Sequence, residues 1–174
     1  RAEVRRAQRG NAMGARDETS GRGRGIRGVC NRRVGTGSGE LMARSKAAGC
    51  CMFGFGIESG SQEVLDSVPK GTTIEDARRA VGLAHGAGLE VTGHCILGFP
   101  GETDDTMQRT IDFSKQLKLE YVQFYCATAF PGSKLYDSCV EQGWLEGSDR
   151  KFSEQNFSVI TNPQLKAHQV EDDR

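Results

Sequence analysis

Along the chain, short apolar runs alternate with longer stretches in which apolar residues recur at helical spacing. Cys50 to Ile57 and Val91 to Leu97 are short, mostly apolar and β-prone, which suits buried parallel strands. Tyr121 to Thr128 reads the same way, and Gly28 to Val34 reads as a weaker strand. Gly39 to Ala48 reads as a short helix with Leu41, Met42 and Ala48 on its apolar stripe. Ser61 to Val68 makes a helical turn that buries Val64 and Leu65. Thr73 opens a stronger helix through Thr73-x-x-Asp76, a capping box with Asp in place of Glu. Its Ala77, Ala80, Val81 and Ala84 form one small-residue face, and Gly86 and Gly88 end it.

Gly98, Pro100 and Gly101 stop the strand at Leu97, and Thr103 caps a helix running to about Lys118, with Asp104 and Asp105 set against its dipole. Met107, Ile111 and Leu117 are its expected inward residues. A last helix, Ser133 to Gln142, is expected to bury Leu135, Tyr136 and Val140 before Gly143 closes it. Beyond Trp144 the signal weakens, and Phe152, Phe157, Val159 and Ile160 suggest a strand or a packed tail.

The resulting order, βαβαβαβα, predicts an α/β fold with parallel strands and helical crossovers. In such folds the loops after the strands share one rim, where ligands bind. Three loops fall there: Glu58-Ser59-Gly60, Gly98 to Glu102, and Phe130 to Ser133. Turn chemistry alone explains Gly, Pro and Ser at such places, so spacing by itself leaves a binding site and plain turn chemistry as two open readings.

Charge changes the picture at one end. The formal net charge is zero, but residues 1–33 carry ten Arg, no Lys and three acids. Residues 1–28 therefore read as a disordered Arg/Gly-rich arm. Such an arm either binds nucleic acid or is a leader foreign to the fold, and composition favours the second. Residues 29–145 form the folded unit and 146–174 a tail. No apolar run reaches transmembrane length, and no secretory signal is visible. The six cysteines make no C-x-x-C pair and mostly fall in apolar runs, which suits reduced thiols in a cytoplasmic protein.

The wording of the loops is more specific than their spacing. Gly54-Phe55-Gly56-Ile57-Glu58-Ser59-Gly60-Ser61 resembles the fourth-strand motif of radical S-adenosylmethionine (radical SAM) enzymes, with Lys70-Gly71-Thr72-Thr73 following at the usual distance. Ile96-Leu97-Gly98-Phe99-Pro100-Gly101-Glu102-Thr103 is similar to the fifth-strand motif of that family. Gln123-Phe124-Tyr125 with Phe130-Pro131-Gly132-Ser133-Lys134-Leu135-Tyr136 is similar to the sixth, with Ala129 where the family often has Pro and Ser133 where it often has Thr. Further back, Cys30, Arg33 and Val34 fit a third-strand pattern. The likeness is greatest to the branch that carries a cobalamin-binding domain.

The resemblance implies a partial TIM-like (βα) barrel holding units three to six of the family's six. It implies S-adenosylmethionine and a [4Fe–4S] cluster as cofactors, with cobalamin as a third in this branch. The cluster and nucleotide carry the hard chemistry: reductive cleavage of S-adenosylmethionine to a radical that abstracts hydrogen from the substrate. The family's C-x-x-x-C-x-x-C loop does not occur in this sequence, so no metal ligand is assigned and the chain alone is expected to be inactive. A small-molecule substrate and a reductant such as flavodoxin or ferredoxin are the implied partners.

Residue by residue, the resemblance gives Glu58 to the ribose hydroxyls, against a plain capping or ion-pairing role. Ser59 adds a ribose or carboxylate contact, or caps the following turn. Lys70 faces the methionyl carboxylate, or is an ordinary surface charge. Ile96, Gly98 and Gly101 form the adenine-facing loop, and Phe130 covers the site. Glu102 bonds within its own loop. His94 and Cys95 alternate, so one of them faces inward. The competing reading is a non-catalytic scaffold with a nucleic-acid-binding arm.

Overall fold

The computed structural model describes residues 27–68, 70–145 and 160. Residues 1–26 of the proposed arm, Pro69, and nearly all of the tail lie outside them, while Gly28 already belongs to the first strand. Four strands form one sheet in sequence order: β1 (Gly28–Arg33), β2 (Cys50–Glu58), β3 (Glu90–Leu97) and β4 (Tyr121–Cys126). Each neighbouring pair is parallel. The helices are α1 (Gly39–Ala47), α2 (Gln62–Ser67), α3 (Ile74–Gly86), α4 (Asp104–Gln116) and α5 (Lys134–Gln142). A 3-10 turn, Val34–Thr36, follows β1.

The helix starts are local chemistry. Thr73 and Thr103 each accept a hydrogen bond from the third helical amide, and the Asp76 and Thr106 side chains in turn accept one from the cap residue's N–H. Ser38 and Ser133 cap α1 and α5. Gly143, at φ 67°, closes α5 in the left-handed form that glycine adopts without penalty.

The main core lies between the sheet and the helices. Phe53, Phe55 and Ile57 of β2 and Val91 and Cys95 of β3 meet Met42 of α1, the Ala77/Ala80/Val81/Ala84 face of α3, and Phe113 and Leu117. Cys95 is fully buried there, and burial pushes its thiol up to about 12. His94 takes the opposite face.

Some inward residues differ from expectation. Only Met42 of the α1 stripe is buried, and Ala48 is exposed. Phe113 of α4 is more deeply buried than Ile111. On α5, Cys139 points inward and Val140 is 53% exposed. The reason is a second, smaller cluster at the rim end, formed by Val64, Phe99, Ala127, Ala129, Cys139 and Ile160. That cluster draws the Cys139 face of α5 down. Ile160 also bridges Leu145 in antiparallel fashion. None of the six cysteines, all of them among the described residues, forms a disulfide, and Cys30 is exposed.

Candidate functional site

The face of the sheet away from the main core is built around small residues of β2. Phe53, Phe55 and Ile57 point to that core, so Gly54 and Gly56 fall on the other face by strand alternation. A Cβ on Gly54 would lie 2.1 Å from Asn31 Oδ1 and 2.9 Å from His94 Nε2. A Cβ on Gly56 would lie 2.6 Å from Glu58 Oε1. The two glycines therefore leave a floor on which polar side chains from β1, β2 and β3 lie. That is the physical content of Gly-Phe-Gly-Ile-Glu: large residues into the core, none into the site.

Glu58 ends β2 in an unusual way. The β2–β3 register slips between Gly56 and Glu58, and Glu58 has φ 68°. A side-chain-bearing residue held there costs on the order of 1–3 kcal/mol, a cost found mostly where the surroundings serve a site. The bulge turns its carboxylate toward Lys70, whose Nζ lies 2.6 Å from Oε1. Arg33 of β1 donates to the Lys70 carbonyl and so ties that segment to the sheet.

The following loop is anchored from below. Thr110 Oγ1 donates to the Thr106 carbonyl at 3.1 Å, so it accepts from the Gly60 amide at 2.9 Å and from Ser59 Oγ at 3.0 Å. Ser59 Oγ in turn accepts from the Ser61 amide. A Cβ on Gly60 would sit 2.5 Å from the Arg109 carbonyl and 2.7 Å from Thr110 Cα. Glycine is what lets the loop backbone touch α4.

The loop after β3 is held differently. Glu102 N–H donates to the Phe99 carbonyl at 3.0 Å, closing a turn with Pro100 second and Gly101, φ 89°, third. Glu102 is fully buried, and its Oε2 accepts from the amides of Gly98 at 2.7 Å and Phe99 at 2.8 Å. Its Oε1 has no partner among the described residues. Burial pushes this carboxyl up to about 7 against the pull of the two amides.

Between these loops opens a cleft of about 340 Å³. Glu58, Lys70, His94, Ile96, Tyr125 and Phe130 are among the residues lining it. Of the residues singled out from the sequence, Glu58, Lys70, Ile96 and Phe130 thus come together on one cleft. Ser59, Gly98 and Gly101 are not in its lining: Ser59 is fully buried against Thr110, and the two glycines, with φ of 86° and 89°, shape the loop beside it. Sequence reasoning missed Thr110. Its signal was present, since Thr106, Thr110 and Ser114 repeat at i, i+4 on the buried face of α4.

The described residues hold no group of three or more His, Cys, Asp or Glu placed to bind a metal ion. A three-thiolate cluster therefore does not fit them. The cleft instead sets one carboxylate and one ammonium against the apolar walls of Ile96, Phe99 and Phe130. No helix of the described residues is long and apolar enough to cross a membrane.

Four parallel strands with helical crossovers and a rim cleft define a partial TIM-like barrel. The particular family follows from comparison: residues 3–114 match the radical SAM superfamily, and the chain belongs to it. That match begins inside the basic N-terminal stretch. Among relatives, an uncharacterized methyltransferase of Pyrococcus horikoshii is 37% identical over 113 residues, covering 65% of this chain and 25% of that protein. A cytidylyl-2-hydroxyethylphosphonate methyltransferase of Streptomyces wedmorensis is 31% identical over 114 residues, covering 62% and 21%. The chain thus spans a quarter or less of these relatives' length. In fold it is similar to the radical S-adenosylmethionine methyltransferase TsrM of Kitasatospora setae, solved with cobalamin and a [4Fe–4S] cluster (TM-score 0.65, 22% identity, 84% of this chain and 29% of that one). S-adenosylmethionine and a [4Fe–4S] cluster are the cofactors of the superfamily.

Proposed function

We propose that this chain supplies the S-adenosylmethionine-positioning half of a radical SAM enzyme, with residues 29–145 as its barrel portion. The observation that carries the reading is Glu58, held with a left-handed backbone at the end of β2 so that its carboxylate faces a cleft. A carboxylate there accepts hydrogen bonds from two vicinal hydroxyls, as on a ribose. Lys70 offers a cation for the methionyl carboxylate, but only after yielding its bond to Glu58. Ile96 and the loop at Gly98 to Gly101 stand beside the base, Phe130 covers it, and Ser59 anchors the loop after Glu58 to Thr110.

When bound in the whole protein, S-adenosylmethionine supplies an activated sulfonium whose reductive cleavage starts radical chemistry. What this chain's residues contribute is binding, orientation and exclusion of water. The cluster ligands are assigned to no described residue. The methyltransferases among the relatives support modification of a small molecule by methyl or related transfer, with a flavodoxin- or ferredoxin-like reductant. The cobalamin in the TsrM structure supports the same third cofactor here.

Titration of the ¹⁵N-labelled chain with S-adenosylmethionine or adenosine tests the reading. Shifts of the amides from Glu58 to Gly60 at millimolar ligand are the expected result. Unmoved amides in that loop would remove the nucleotide site.

A further inference from the structure

His94 is the cleft residue that the nucleotide reading leaves without a task. It lies on β3 opposite Gln123 of β4, while Ile96 lies opposite Tyr125. The Tyr125 hydroxyl donates to Gln123 Oε1 at 2.9 Å and sits 3.3 Å from His94 Nδ1. The two rings stack, with centroids 5.9 Å apart and planes at 28°. A hydroxyl has one proton. If that proton stays on Gln123, the oxygen accepts from His94 and Nδ1 carries the ring hydrogen. Nε2 is then bare. It lies over Gly54, 2.9 Å from where a side chain would begin, on the cleft side of the sheet.

We propose that His94 Nε2 is the substrate-contacting acceptor of this cleft, taking a hydrogen bond from a neutral N–H or O–H group on an otherwise apolar substrate. Tyr125 and Gln123 are positioning residues that fix the tautomer, and Gly54 keeps the lone pair uncovered. The ionised groups facing the ring are Glu58 and Lys70; they bond each other here and the proposed nucleotide takes both, so neither is left as an unpaired charge for the substrate. A carboxylate or phosphate would find a lone pair at Nε2 and no donor. The body of the substrate meets the Tyr125 ring, with Ile96 and Phe130 left to the nucleotide. Partial burial holds the ring below the usual histidine range, with Glu58 opposing, so the lone pair is present at neutral pH. The inference rests on the proposed function for the idea that a substrate enters beside the nucleotide. The tautomer itself does not depend on it.

The test reads ring nitrogens by long-range ¹H–¹⁵N correlation on the full chain at neutral pH. His94 is expected with a protonated Nδ1 and a bare Nε2. Tyr125→Phe, or Gln123→Met if the first variant does not fold, should move the ring toward the other tautomer. Indole and 1-methylindole are then added as matched probes, with and without the N–H. Indole should displace the Nε2 resonance by several ppm and 1-methylindole should not. An Nε2–H tautomer in the unsubstituted chain, donating toward the Asn31 side chain that also lies over Gly54, would overturn the proposal. So would equal responses to the two probes, or none. A separate titration with S-adenosylhomocysteine, read at the Glu58 to Gly60 amides, keeps the two ideas apart. Silence there with probe discrimination intact defeats the nucleotide reading alone, and the reverse defeats the His94 assignment alone.

Discussion

Glu58 after β2 and Glu102 after β3 stand at neighbouring strand ends, each beside conformationally demanding backbone. At Glu58 the residue itself takes the positive φ, and its carboxylate faces a cleft and a lysine. At Glu102 two preceding glycines, Gly98 and Gly101, take the positive φ, and the carboxylate turns inward onto two amides, fully buried. One loop accepts backbone strain to present an acid. The other uses an acid to hold a turn together. Two glutamates of equal prominence in the sequence therefore divide into a cleft-facing group and a scaffold, and burial decides which is which.

The largest effect is expected where the scaffold is cut. Glu102→Ala strands two buried amides and should cost roughly 3 kcal/mol of unfolding free energy, read by urea melts. The same carboxyl carries a pH signature. Its folded value, raised to about 7 from 4.5, means the folded state holds the proton longer. Its contribution is complete below about pH 4.5 and is lost as pH rises through 7. Unfolding free energy should therefore fall between pH 4.5 and 7, and Glu102→Gln should flatten that slope. A slope unchanged in the variant would assign the titration elsewhere.

Next is Gly60→Ala, which drives a methyl into the backbone of α4 and should cost about 2 kcal/mol by calorimetry. Thr110→Val, which removes the acceptor of both Ser59 and Gly60, should cost on the order of 1–2 kcal/mol. It should also speed hydrogen exchange at the Gly60 amide, and unaltered exchange there would show that the loop does not depend on α4. The smallest effect belongs to Lys70→Met. The lysine side chain is 45% exposed, so stability should move by less than about 1 kcal/mol while nucleotide affinity drops.

The comparison also marks what the sequence could reveal. Strand and helix order, the Thr73 and Thr103 caps and the Ala77/Ala80/Val81/Ala84 face were legible because each is a local pattern. The Gly-Phe-Gly-Ile-Glu alternation already separates core face from site face. Cys139 in place of Val140 was not legible, because the choice depends on a rim cluster that includes Ile160, distant in the chain. Ser59 read as a ligand contact or as a cap of the following turn, and its bond to the Thr110 hydroxyl of α4 was not legible in either reading. The hydrogen-bonded row of His94, Tyr125 and Gln123 needs the β3–β4 register, which no single stretch encodes.

The central claim is that Glu58 bears its strained backbone for the sake of a nucleotide. Glu58→Gly tests it most directly, with thermal unfolding and S-adenosylhomocysteine titration calorimetry on the same sample. Glycine relieves the positive φ, so the variant should be as stable as the parent or more stable by about 1 kcal/mol. Losing the carboxylate should weaken nucleotide binding roughly tenfold or more. A variant that binds as tightly as the parent would contradict the account.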